Sequence, residues 1–204
     1  YAEWNQIVKD AGYEWAVEKT IDSLTELITL MPETPGSATI INADAQALPC
    51  EPKSIDVIVT DPPYSNNVMY AEVSDFFYVW LKRLVGDLFP VQFSEEQTNK
   101  TDEAVANPAR FNGIKKGQAK KLADQDYAAK MEASFREMHR VLKDDGVLCV
   151  MFTHRKAEAW EGLAEALMNA GFSLQSSWPV HTEPGEKFGK ANKGALKVTV
   201  LLYC

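Results

Sequence analysis

At 204 residues the chain is long enough for one medium domain with a substantial core, which excludes a disordered tail, a coiled coil or a minimal disulfide scaffold. Its formal charge of -8 argues against a general polyanion binder, because non-specific affinity for nucleic acid comes from net positive surface, and leaves only a local basic patch for that purpose. No apolar run approaches the roughly 20 residues that span a bilayer, so no membrane partner is expected.

In chain order, Ile21, Leu24, Leu27, Ile28 and Met31 recur at three- and four-residue steps and predict a helix from Trp15 to Leu30, ended by Pro32 and Pro35. Ser37 to Asn42 and Ile55 to Thr60 are short β-rich runs. The second is nearly all apolar and β-branched, as expected of a parallel strand covered on both faces. Tyr70 to Leu84 is aromatic and helix-compatible, whereas Phe89 to Asp124 loses periodicity and reads as an inserted loop. Tyr127, Met131, Phe135, Met138 and Leu142 form a helical stripe. A turn at Lys143 to Gly146 leads into the strand Val147 to Phe152. Trp160, Leu163, Leu167 and Ala170 predict another helix, closed by Gly171 in the left-handed cap position, before strands at Phe172 to Val180 and Ala195 to Tyr203. This alternation indicates an α/β fold with a mostly parallel sheet.

Cys50, Cys149 and Cys204 form no CxxC pair, so neither a zinc site nor a disulfide framework is readable, no metal is expected in this segment, and a reducing cytoplasm fits best. The chain starts at Tyr1 rather than Met and carries no signal-peptide pattern, which suggests a piece of a longer protein.

Open α/β sheets bind ligands beyond the carboxyl ends of their strands, and there the second apolar run is followed by Asp61-Pro62-Pro63-Tyr64. The prolines fix φ and remove two backbone donors, so the Asp61 carboxylate and the Pro62 carbonyl make a rigid acceptor pair, with Tyr64 as a flat ring beside it. Such a pair suits the exocyclic amine of a nucleobase, whose nitrogen lone pair is delocalised until two acceptors hold its hydrogens. With a methyl sulfonium in line, positioning alone can supply roughly 7 to 11 kcal/mol of barrier reduction. Stacking of the unpaired base on Tyr64, worth about 1 to 3 kcal/mol, would offset much of its extrusion from the duplex.

Asp-Pro-Pro-Tyr at the end of a buried strand resembles motif IV of the S-adenosylmethionine-dependent amino-methyltransferases that act on adenine N6 or cytosine N4 of DNA. Asn42 to Ala45 with Leu48-Pro49 is similar to their motif III, and Val141 to Gly146 before a strand to their motif VI. The stretch from Val57 to Lys82 resembles more narrowly the prokaryotic adenine-specific DNA methylases that contain a zinc ribbon. The resemblance implies a partial class-I, Rossmann-like methyltransferase fold, with an antiparallel last strand. The first two strands, the glycine-rich motif I and the zinc ribbon are absent from this sequence. A single catalytic-domain fragment over residues 1–204 follows, with 89–124 as an inserted target-recognition loop.

It further implies methyl transfer from S-adenosylmethionine to adenine N6 in DNA, with Asp61, Pro62, Pro63 and Tyr64 catalytic and Asp44, Ala45 and Asp61 at the cofactor. The alternatives are cytosine N4, RNA or protein glutamine as substrate, or a non-catalytic nucleic-acid-binding subunit. Since the third strand of that family pairs with the second, Ala38 to Asn42 loses its usual neighbour; either it pairs directly with Ile55 to Thr60 or another chain covers the gap, and self-association is expected.

The remaining candidates have two readings each. Asp44 is either a cofactor contact or the acceptor of a local Asx-turn. Asn66 and Asn67 either read base edges or cap the turn, and Tyr70, in an aromatic helix that reads mainly as core, is a candidate wall of the base pocket. Trp178 stands where a second stacking ring of the family would lie, and His154, after a strand end, either faces the cleft or is a surface or core histidine, with no assigned role. Arg110, Lys115 and Lys116 belong to a basic window from Ala109 to Lys121 that would either follow a phosphate backbone or be a solvated loop; a second such window is Lys187 to Lys197.

Overall fold

The computed structural model describes residues 12–31, 36–180 and 199–204. The chain divides into two compact units, residues 1–42 and 43–204.

In the first unit, helix α1 (Tyr13–Leu30) ends at extended Met31, and its stripe of Ile21, Leu24, Leu27 and Ile28 is exposed. Residues 36–42 form no strand, and Ile40 is 99% exposed. The expected strand at Ser37 to Asn42 is therefore corrected: β-propensity alone makes no strand without a neighbouring backbone to bond.

The second unit contains β1 (Ile55–Thr60), α2 (Tyr70–Val85), a 3₁₀ turn (Pro108–Phe111), α3 (Lys116–Val141), β2 (Leu142–Phe152), α4 (Ala157–Asn169), β3 (Ser176–Val180) and β4 (Thr199–Tyr203). The sheet order is β1-β2-β4-β3. β1 and β2 are parallel, and β4 lies antiparallel between β2 and β3. Three strands thus run one way and the last runs against them, although only one adjacent pair is parallel. Pro179 is tolerated because β3 is an edge strand. Expected strand residues 195–198 and the basic window Lys187 to Lys197 lie outside the described residues.

One face of the sheet carries the core. Leu148, Val150 and Phe152 alternate inward along β2 and meet Met131, Phe135 and Met138 of α3 and Leu163, Ala166 and Leu167 of α4. The opposite face is bare among the described residues, with Val57 57% and Val59 69% exposed. Burial of β1 on both faces is therefore corrected to burial on one.

Helix α3 starts eleven residues before Tyr127, so residues 116–124 are helix and not loop. The signal there is Ala119 and Ala123, one helical turn apart and both buried; small residues make a close-packing face that a search for large apolar side chains passes over.

The end of α4 follows the sequence closely. The Gly171 N–H donates to the Met168 carbonyl and the Phe172 N–H to the Leu167 carbonyl, both at 3.0 Å, around Gly171 at φ +98°. A Cβ at Gly171 would also lie 3.1 Å from His139 Nε2. Gly171→Ala should therefore destabilise the protein by about 1 to 2 kcal/mol, read from the urea midpoint.

The insertion between α2 and α3 is pinned down. Asp75 accepts from the Thr98 N–H at 3.0 Å and the Thr98 hydroxyl at 2.7 Å and pairs with Lys100 at 2.7 Å. Lys100, then Thr98, hold the Asp75 carboxyl down at about 2. Because this value lies below that of an unfolded chain, the anchor is intact above the ordinary carboxylate range and is lost as pH falls toward 2. Amide exchange at residues 98–103, corrected for the intrinsic effect of pH, should accelerate over that window, and Asp75→Asn should show the acceleration already at pH 7.

Candidate active site

The parallel ladder delivers Asp61 at the carboxyl end of β1, beside the end of β2. Four residues then turn tightly. The Ser65 N–H donates to the Pro63 carbonyl at 3.1 Å, and the Asn67 N–H to the Tyr64 carbonyl at 3.2 Å. Ser65 takes the left-handed φ of 55°, which costs a non-glycine residue energy and is held from outside by the Ala106 N–H, 3.1 Å from the Ser65 carbonyl.

Within this turn Pro62 is buried and Asp61 is exposed. The Tyr64 hydroxyl donates to one oxygen of Asp61. The other Asp61 oxygen and the Pro62 carbonyl have no hydrogen-bond partner among the described residues, as expected of two acceptors left open by the prolines. Burial, and then the Asp61 carboxylate, push the Tyr64 phenol well above its ordinary pKa, so it remains a donor at neutral pH. The Tyr64 ring packs edge to face on Phe152 at 5.2 Å, so part of its surface is already engaged. From α3, the Tyr127 hydroxyl donates to the Pro63 carbonyl at 2.8 Å and fixes the turn from below; burial raises its pKa too, against the pull of the Ser65 N–H.

Next to the turn a cavity of about 560 Å³, within the usual range for small-ligand sites, opens between α3 and α4. Ser65, Asn66, Tyr127, His154 and Glu158 are among its lining residues, and Asp61, four residues before Ser65, is not.

The other candidates scatter. Asn67 and Tyr70 are exposed, and Tyr70 lies near enough to Tyr64 to raise its pKa further. Trp178 is 67% exposed, and its register opposite Leu201 puts it on the sheet face away from α3 and α4. It is not in the cavity wall, which corrects its expected place as a second stacking ring. Arg110 is also corrected. Its guanidinium donates to the carbonyls of Lys100, Thr101, Glu103 and Val105 and pairs with Asp126 at 3.1 Å, which makes it the clasp of the insertion rather than a phosphate contact. Lys115 is exposed and precedes α3, while Lys116 is its first residue, so the basic window is half helix.

The residues expected at a cofactor do not by themselves build a cradle. Asp44 and Ala45 are exposed, and Asp44 accepts from the Gln46 N–H at 2.8 Å in an Asx-turn of its own. Its loop is tied through Leu48 and Cys50 to Glu137 and Arg140 of α3. Among the described residues no group of His, Cys, Asp and Glu could hold a metal ion, and no helix is long and apolar enough to cross a membrane.

Sequence reasoning passed over Tyr127, Phe152 and His154 as site residues. Tyr127 and Phe152 read as core by their spacing, and only the hydroxyl of Tyr127 hinted at a second use.

The family model of DNA methylases, of the N6/N4 type, matches residues 55–197, from the first residue of β1 to just before β4. The chain belongs to this DNA methylase family. The match includes the Asp61 turn and the cavity-lining residues of α3 and α4. Enzymes of this family transfer methyl groups to DNA and typically take them from S-adenosylmethionine. A search of the curated proteins found no match to the methylase chain.

Proposed function

We propose that the protein methylates the N6 amino group of adenine in DNA. The observation that carries this reading is the open acceptor pair, the free oxygen of Asp61 and the Pro62 carbonyl, held rigid in a turn whose next residues line a cavity large enough to admit a nucleobase. One amino hydrogen goes to each acceptor, which localises the nitrogen lone pair and makes the amine a nucleophile. The second Asp61 oxygen receives the Tyr64 hydroxyl, so the carboxylate is oriented before substrate arrives, and preorganised acceptors of this kind contribute most in the transition state. Being exposed, Asp61 can also pass the surplus amino proton to solvent after transfer. S-adenosylmethionine supplies an electrophilic methyl group when bound.

The test is product analysis. The full-length protein is incubated with S-adenosylmethionine labelled in the methyl group and with DNA, RNA or protein. Label in N6-methyladenine from DNA is the expected result, and label in N4-methylcytosine, RNA or glutamine would overturn the adenine assignment.

The outer edge of β1 has no strand partner among the described residues, and unpaired edges invite association, which supports self-association as part of the same proposal. Light scattering at high concentration should then give more than the monomer mass, and a monomer overturns it.

A further inference from the structure

His154 holds a donor that the described fold leaves unused. It follows β2 by two residues and is only 7% exposed. Its Nδ1 accepts from the Lys156 N–H at 3.1 Å, so the imidazole proton sits on Nε2. Nε2 is buried and has no hydrogen-bond partner among the described residues, and an unsatisfied buried N–H costs free energy. The ring is held still. It stacks on Phe152 with an interplanar angle of 22°, and the His154 carbonyl accepts from Trp160 Nε1 at 2.9 Å. A fixed, orphaned donor is what a recognition group looks like before its ligand arrives.

His154 is one of the residues that line the cavity next to the Asp61 turn. Lys120 and Lys156 are balanced there by Asp124 and Glu158, so the cavity favours a neutral polar heterocycle over a phosphate. Thr60 pairs with Val150 in the ladder, which places Asp61 one residue and His154 four residues past that rung. Asp61 and His154 therefore both follow the carboxyl ends of adjacent parallel strands.

We propose that His154 is a specificity-determining residue whose Nε2–H donates to the ring nitrogen N3 of the adenine, across the ring from the amino group held by Asp61 and Pro62. This rests on the adenine reading of the function. It assigns the cavity to the base itself, with one edge read by two acceptors and the other by one donor.

The experiment uses the full-length protein with ¹⁵N-labelled histidine. The Nε2–H resonance of His154 is followed during titration with 2′-deoxyadenosine and then with 3-deaza-2′-deoxyadenosine, which keeps the amino group and lacks the acceptor. A shift with the first and none with the second is expected. No shift with either, or equal shifts with both, overturns the assignment. Kinetics on DNA give an independent readout: His154→Phe should raise KM by about tenfold or more with a smaller change in kcat, and His154→Gln, which keeps a donor, should recover part of the loss. An unchanged KM in His154→Phe overturns the proposal. Methylation of adenine with an unmoved His154 signal removes His154 and leaves the function standing, whereas a nucleoside-dependent shift in a protein that methylates only cytosine removes the adenine reading of the function and with it the N3 assignment.

Discussion

Asp61→Ala should lower the rate of methyl transfer by at least ~100-fold, measured as labelled methyl incorporated into DNA by the full-length protein, with little change in stability. The magnitude follows from loss of a preorganised hydrogen-bond acceptor whose interaction strengthens as charge develops on the amine. The small effect on folding follows from exposure, since Asp61 bonds only to Tyr64 among the described residues and buries no carboxylate. Removing it leaves the Tyr64 hydroxyl without its acceptor, in a half-buried position that water can reach. Tyr64→Phe separates the two roles, because it deletes the bond that orients Asp61 and keeps the acceptor itself; a loss smaller than that of Asp61→Ala is expected. Equal activity of Asp61→Ala and the parent protein would take Asp61 out of the mechanism.

The largest expected loss of stability comes from Phe152→Ala, about 3 to 5 kcal/mol. Phe152 is fully buried at the end of β2 and touches three rings that matter: Tyr64 at 5.2 Å, Trp160 at 5.0 Å and His154 at 6.4 Å between centroids. The truncation leaves a cavity under the Asp61 turn and removes the ring contacts to Tyr64 and His154. At roughly 2 to 4 °C per kcal/mol for a chain of this size, the thermal midpoint should drop by about 6 °C or more, readable by calorimetry. Phe152→Leu refills much of the volume and should cost far less stability while still losing the ring contacts. Reduced turnover in that stable variant would show that ring alignment, and not folding alone, depends on Phe152.

The parts of the fold that are local in the sequence were legible in it. The β-branched run from Ile55 to Thr60 makes a strand wherever a neighbour exists, and β2 supplies one. The cap at Gly171 was readable because only glycine takes φ +98° without strain. The Asp61 turn was readable for a similar reason: two adjacent prolines dictate backbone angles and strip donors without help from any distant residue.

What failed to show was whatever depended on a partner far along the chain. Ser37 to Asn42 has the composition of a strand but no ladder, since a strand is a relation between two backbones. The basic window read as either a phosphate contact or a solvated loop, yet Arg110 faces inward because five donors on one fork can gather several loop carbonyls at once. His154 gave no signal beyond its place after a strand end, for burial and an orphaned Nε2 exist only once β2, α3 and α4 have assembled.

The sequence alone determined the backbone of the turn at Asp61 and Pro62, because the prolines act through bonds to their immediate neighbours. Tertiary structure alone decided which groups stand around that turn: Tyr127 beneath it, Phe152 behind Tyr64, and His154 in the adjoining cavity wall. Those placements come from strand register and helix packing between residues up to some ninety positions apart, and no local pattern encodes a distance that only folding closes.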